Sequence, residues 1–123
     1  MDNCLVIQRG TTEVYRFPFS QIVYIEAINH ENWCSICMVG PEKENYNPLS
    51  LPLLLGDVWK LILAQIDQHH AIFRCGRSLI VNPAYIRLID VSEKRLVLAD
   101  GNNYYVFNPS REALIELKTL IIK

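Results

Sequence analysis

Two thiols spaced for metal or redox chemistry stand at Cys34 and Cys37, with His30 just before them and His69, His70 and Cys75 further on. Such donors bind zinc when they converge, but strong zinc signatures need a second pair at a set spacing, and no second CxxC occurs here. The run Trp33 to Val39 reads as a strand, where side chains three apart point to opposite faces. Cys34 and Cys37 could then share one metal only across a turn or bulge. Each of the four cysteines, Cys4 included, sits in an apolar or strand-like run, so they read as reduced core residues. His69 and His70 read as solvated residues at a helix end. The sequence has no GxSxG, HExxH, GxGxxG or GxxxxGK[ST]. The expectation is no enzyme, no metal and no cofactor.

Three polar points resist explanation as plain surface: the loop ending in Asn32, the segment Arg74 to Ser78, and Ser110-Arg111. Arginine in the first turn of a helix opposes the macrodipole, so Arg111 gains little from its own helix and is free to meet an anion or a base edge. Gly76 interrupts a strand pattern beside Arg77 and permits a turn that aims the guanidinium off the sheet, where it could read guanine through two parallel hydrogen bonds. The bland readings are a surface arginine in a salt bridge at position 77, and Arg111 paired with Glu112 or water.

The elements that must position these residues follow from period. Cys4 to Ile7 and Val14 to Phe17 flank a turn and read as a hairpin. Ile22 to Ile28 and Trp33 to Val39 read as strands bracketing a four-residue loop. After a turn at Gly40 to Asn45, Tyr46 to Ser50 reads as a short extended stretch. Ser50 is a candidate cap for a helix from about Pro52 to Ile66, with Leu54, Leu55, Val58, Leu61, Ile62 and Ile66 at helical spacing. Strands follow at Ile72 to Arg74, Leu79 to Val81, Ile86 to Val91, Arg95 to Leu98 and Tyr104 to Phe107. Pro109 opens a last helix with Ala113, Leu114, Leu117, Leu120 and Ile121 on one face. Short connections favour antiparallel pairing, giving a mainly β fold with one internal and one C-terminal helix.

At 123 residues, half of them apolar, the chain fits one domain over residues 1–123. The net charge of −1 excludes a protein that coats nucleic acid through bulk charge. The total conceals an asymmetry. Residues 1–70 hold four basic and eight acidic side chains, and residues 71–123 hold eight basic and five acidic ones. A polyanion should meet the second half. The apolar stretch Leu49 to Ile66 is broken by Pro52, Asp57 and Lys60, so no membrane span is expected, and the acidic opening lacks the features of a secretory signal. The expected compartment is the cytoplasm.

Phe73-Arg74-Cys75-Gly76-Arg77-Ser78-Leu79-Ile80-Val81-Asn82 resembles the central F-x-R-x-H-R-S-x-x-V-N signature of the LytTR DNA-binding family or its one-residue variants. Ile22 to Ala27 is similar to the family's I-x-Y-I-E-A strand. Ile86 to Ile89, Leu96 to Gly101 and Ser110-Arg111 resemble its later elements in order, so the likeness spans about residues 12–120. The resemblance implies an elongated antiparallel β-β-β fold that inserts loop side chains into successive major grooves of double-stranded DNA as a transcription regulator. By motif position it implies base contacts from Asn32, Arg77 and Arg111. Phosphate contacts would come from Arg74, Ser78, Lys94 and Arg95, although the stem of Arg74 could equally pack on the sheet and Lys94 and Arg95 could simply solubilise a turn.

Two features depart from the family pattern. Gly76 stands where histidine is usual, and Glu31 and Glu112 place carboxylates beside two of the contacts, which would repel phosphate. The alternative is a protein-interaction or inhibitory module that has lost DNA binding. Members of the family are typically joined to a receiver domain, and the residues before the Ile22 strand are too few to make one. The expected partners are duplex DNA, with a second copy on adjacent repeats or a receiver or sensor protein as further candidates.

Overall fold

The computed structural model describes residues 3–28, 32–39, 49–67 and 71–122. Strands β1 (Cys4–Arg9) and β2 (Glu13–Pro18) form the opening hairpin. β3 (Ile22–Ile28), β4 (Trp33–Met38), β5 (Leu49–Leu51), β6 (Phe73–Arg74) and β7 (Leu79–Val81) build a central sheet in the order β5-β4-β3-β7-β6. β8 (Ile86–Asp90), β9 (Arg95–Asp100) and β10 (Asn103–Phe107) form a third sheet, and every pairing is antiparallel. Helices α1 (Leu55–Gln65) and α2 (Arg111–Ile121) complete the fold. The mainly β expectation with two helices holds.

The central sheet is buried on both faces, which explains why its strands read as nearly continuous apolar runs. On one face Ile25, Cys34, Ile36, Met38, Leu51 and Ile80 pack with Leu5, Ile7 and Phe17 of the hairpin and with Leu55, Val58 and Ile62 of α1. On the other, Val23, Cys37, Leu79 and Val81 pack with Leu96 and Leu98 of β9 and with Ala113, Leu114 and Leu117 of α2. A bulge in β3 sets which residue goes where. Ile22 pairs with Met38 and Tyr24 with Cys37, so Val23 is extra, and both Val23 and Tyr24 turn toward the second core. The shifted phase carries Glu26 to that side as well.

The thiols of Cys34 and Cys37 therefore open into different cores on opposite faces of one sheet. The Cys34 thiol donates to the Leu53 carbonyl at 3.0 Å. Among the described residues no three His, Cys, Asp or Glu side chains converge as a metal site, and neither helix is long and apolar enough to cross a membrane.

Several boundaries differ from the sequence reading, the start of α1 most. Ser50 does not cap α1; it pairs with Ser35 inside β5, and the helix begins at Leu55 with Leu54 at its cap making no side-chain bond. The reason is burial. Leu51 fills the first core as a strand residue, and Pro52, lacking an N–H, ends the pairing before the helix starts. The last helix likewise begins at Arg111, after Pro109, with Ser110 as its cap. The turn Gly40 to Asn45, Tyr46 to Pro48, and His69-His70 lie outside the described residues.

Candidate nucleic-acid interface

The site grows from the tight loop between β6 and β7. Gly76 adopts φ +75°, a left-handed conformation that costs an L-residue about 1–2 kcal/mol. The loop also lies against α2, since a Cβ on Gly76 would stand 3.4 Å from the Ala113 Cβ. Arg74 closes the turn: its Nε donates to the Gly76 carbonyl at 3.1 Å and its Nη2 to the Arg77 carbonyl at 3.3 Å. The backbone of Arg77 is thus held while its side chain is exposed, and neither the Arg77 nor the Arg111 side chain has a hydrogen-bond partner among the described residues.

Between this loop and the start of α2 runs an open groove of about 380 Å³, lined on one side by Gly76, Arg77 and Ser78 and on the other by Asn108, Pro109 and Ser110. Ser110 caps α2 by accepting the Ala113 N–H at 3.2 Å, which fixes exposed Arg111 as the first helical residue beside the groove. Phe107 forms part of the floor and packs edge-on against Tyr24 at 4.9 Å. Burial pushes the Tyr24 hydroxyl up to about 12.

The end of β3 at Ile28 and the start of β4 at Trp33 lie at the same end of the central sheet. Ala27 N–H donates to the Ser78 carbonyl at 2.8 Å, and Ile28 pairs with Trp33, so exposed Asn32 lies beyond that bond in the direction of the loop. The β8–β9 turn reaches this end too, because Asn108 Nδ2 donates to the Lys94 carbonyl at 3.1 Å. Lys94 takes φ +53°, the one non-glycine residue in the left-handed region among the described residues. Arg95 stands apart from the groove, opposite Asp90 on the outer face of the third sheet.

Asn32, Arg77, Ser78, Lys94 and Arg111 are therefore gathered at one end of the molecule. Arg74 is there as well, with two of its donors already engaged by the loop. A smaller hollow of about 230 Å³ brings Arg74 and Arg77 near Asp57 and Lys60 of α1. Sequence reasoning did not find Glu26 as a site residue. It lines the groove, half-buried, and burial raises its carboxyl above the ordinary range. The available signal was a carboxylate set between Ile25 and Ala27 in an apolar strand. In the shared Val81-Asn82 motif, the asparagine is structural: its Oδ1 accepts the Ala84 N–H at 3.0 Å and its Nδ2 donates to the Phe19 carbonyl at 3.3 Å.

A mainly β scaffold that presents exposed arginines on short rigid loops at one end has the form of a binding domain. The sequence matches the family model of the LytTr DNA-binding domain over residues 60–122, just over half of the chain. This chain belongs to the LytTR DNA-binding domain family, a family of DNA-binding domains and not of enzymes. Among solved structures, it is similar to the LytTr DNA-binding domain of a putative methyl-accepting/DNA response regulator from Bacillus cereus, with 18% identity, a TM-score of 0.60 and 100% of each chain covered. That likeness is one of fold. No curated protein matches the chain. The matched stretch contains Arg74, Arg77, Ser78, Lys94, Arg95 and Arg111, whereas Asn32 lies before it.

Proposed function

We propose that the chain acts as one domain that reads duplex DNA through its loops and regulates transcription in the cytoplasm. Arg77 and Arg111 enter the major groove and each recognises guanine by paired hydrogen bonds, while Asn32 recognises adenine in the same manner. Ser78, Lys94, Arg95 and the remaining donors of Arg74 meet phosphates and set the register. The observation that carries this reading is that Arg77 lines a single groove and Arg111 follows Ser110 on its other side, both exposed, without a hydrogen-bond partner among the described residues, and on segments held by hydrogen bonds. Lys94 supports it: a lysine kept in a left-handed conformation suited to glycine or asparagine points to a use for its charge. Control by a receiver or sensor protein belongs to the same proposal.

Selection from a genomic fragment library at low and moderate salt tests it. Enrichment of fragments sharing a short sequence, retained at moderate salt, is expected. The rival reading, a protein-interaction or inhibitory module, draws on Glu26 in the groove and Glu112 in the first turn of α2. Absence of enrichment together with capture of a defined protein would favour that rival.

A further inference from the structure

The ladder between β9 and β10 ends where Leu96 pairs with Phe107. Continued by two steps, the same register would set Lys94 opposite Pro109, which has no backbone N–H to donate. The side chain of Asn108 takes over: its Nδ2 donates to the Lys94 carbonyl at 3.1 Å and so carries the pairing past the proline. Other bonds shape the β8–β9 turn from within. The Asp90 carboxylate accepts the Ser92 hydroxyl at 2.8 Å and the Glu93 N–H at 3.1 Å, and the Lys94 N–H donates to the Val91 carbonyl at 3.3 Å. Those bonds stay inside the turn. The Asn108 bond leaves it, and joins Lys94 to the segment that leads through Pro109 and Ser110 into Arg111.

We infer that Asn108 is a positioning residue for DNA, holding Lys94 beside the groove so that its ammonium meets phosphate at a set distance from Arg111. The inference rests on the proposed reading of DNA, in which Lys94 meets phosphate and Arg111 a base. Glu93 and Lys94 are neighbours in the turn and both are exposed, so a turn free to swing offers phosphate a carboxylate as readily as an ammonium. Fixing the Lys94 carbonyl decides which charge is presented. It also orders the base of a long flexible side chain before DNA arrives, which lowers the entropy lost on binding. Asn108 is itself exposed, so water competes for its bond and the bond adds little to folding. Its effect therefore falls on binding.

Fluorescence anisotropy of the whole chain on a selected site and on unrelated duplex, over a range of salt, tests this. Lys94→Ala should lower the slope of log Kd against log salt by about one, the loss of one phosphate contact. Asn108→Ala, with unfolding unchanged, should lower it by more than about half as much and weaken binding to both duplexes by about threefold or more. In the Lys94→Ala background the second substitution should change nothing further. A wild-type slope for Asn108→Ala beside a lowered slope for Lys94→Ala would overturn the inference and leave the phosphate role of Lys94 standing. A loss confined to the selected site would place the effect at Arg111, and an undiminished loss in the Lys94→Ala background would make Asn108 a direct contact; either result overturns it. If Lys94→Ala itself keeps the wild-type slope, the reading of DNA fails at that residue and the inference falls with it.

Discussion

The guanidinium of Arg74 holds the backbone of Arg77, donating to the carbonyls of Gly76 at 3.1 Å and Arg77 at 3.3 Å. The two arginines have separate roles, since Arg74 orders the loop and Arg77 is left to meet a partner. Lysine at position 74 would keep the charge but lose the planar fork that spans both carbonyls. Arg74→Lys should therefore weaken specific DNA binding by about 1–2 kcal/mol. Full affinity in that variant, measured by fluorescence anisotropy on a selected site, would show that position 74 contributes charge alone.

Gly76 sits at φ +75° with the Ala113 Cβ 3.4 Å from where its own Cβ would be. Gly76→Ala should lower stability by about 1–2 kcal/mol, chiefly through backbone strain. Thermal unfolding checks this, and an unchanged melting temperature would mean that the loop adopts another conformation.

Burial raises the Glu26 carboxyl, so the folded domain holds that proton more tightly than the unfolded chain. Its contribution to stability is complete below the unfolded carboxyl pKa and is lost as pH rises through the higher folded value. DNA binding should follow the same sign, since the ionised carboxylate in the groove repels phosphate. Glu26→Gln should strengthen binding near neutral pH by about 0.5–1 kcal/mol and flatten its rise toward acid. Binding isotherms from acid to neutral pH decide it; a variant as pH-dependent as the wild type would exclude Glu26 as the source.

Burial, reinforced by the charges of Asp57 and Glu116 respectively, pushes the thiols of Cys34 and Cys75 up to about 11. Both are protonated at neutral pH and shielded. Labelling of the folded protein should modify half-buried Cys4 first and leave Cys34, Cys37 and Cys75 slow until unfolding. Rapid formation of a Cys34–Cys37 disulfide in the folded protein would contradict their placement on opposite faces.

Much of this architecture is legible in the sequence because burial imposes period. The alternation in β4 places Cys34 and Cys37 on opposite faces without any coordinates, and the interruption at Gly76 marks the loop that carries Arg77. The start of α1 is not legible, because Ser50 fits a cap chemically while the demand that Leu51 fill a core as a strand is a long-range one. Glu26 stands out as a carboxylate in an apolar strand, but its place in the groove is not legible for a related reason: the bulge at Val23 changes which face it occupies, and a bulge leaves no reliable mark in local composition. The double duty of Arg74 depends on how the loop carbonyls point, which residue types alone do not specify.

The central claim is that Arg77, in one wall of the groove, and Arg111, next to Ser110 of the other wall, read bases. The most direct measurement is the affinity of Arg77→Ala and Arg111→Ala for a selected site and for unrelated duplex at the same salt. Each variant should lose about 1–3 kcal/mol on the selected site and much less on unrelated DNA, with unfolding transitions unchanged. Equal losses on both duplexes, or wild-type affinity for the selected site, would contradict base reading by these side chains.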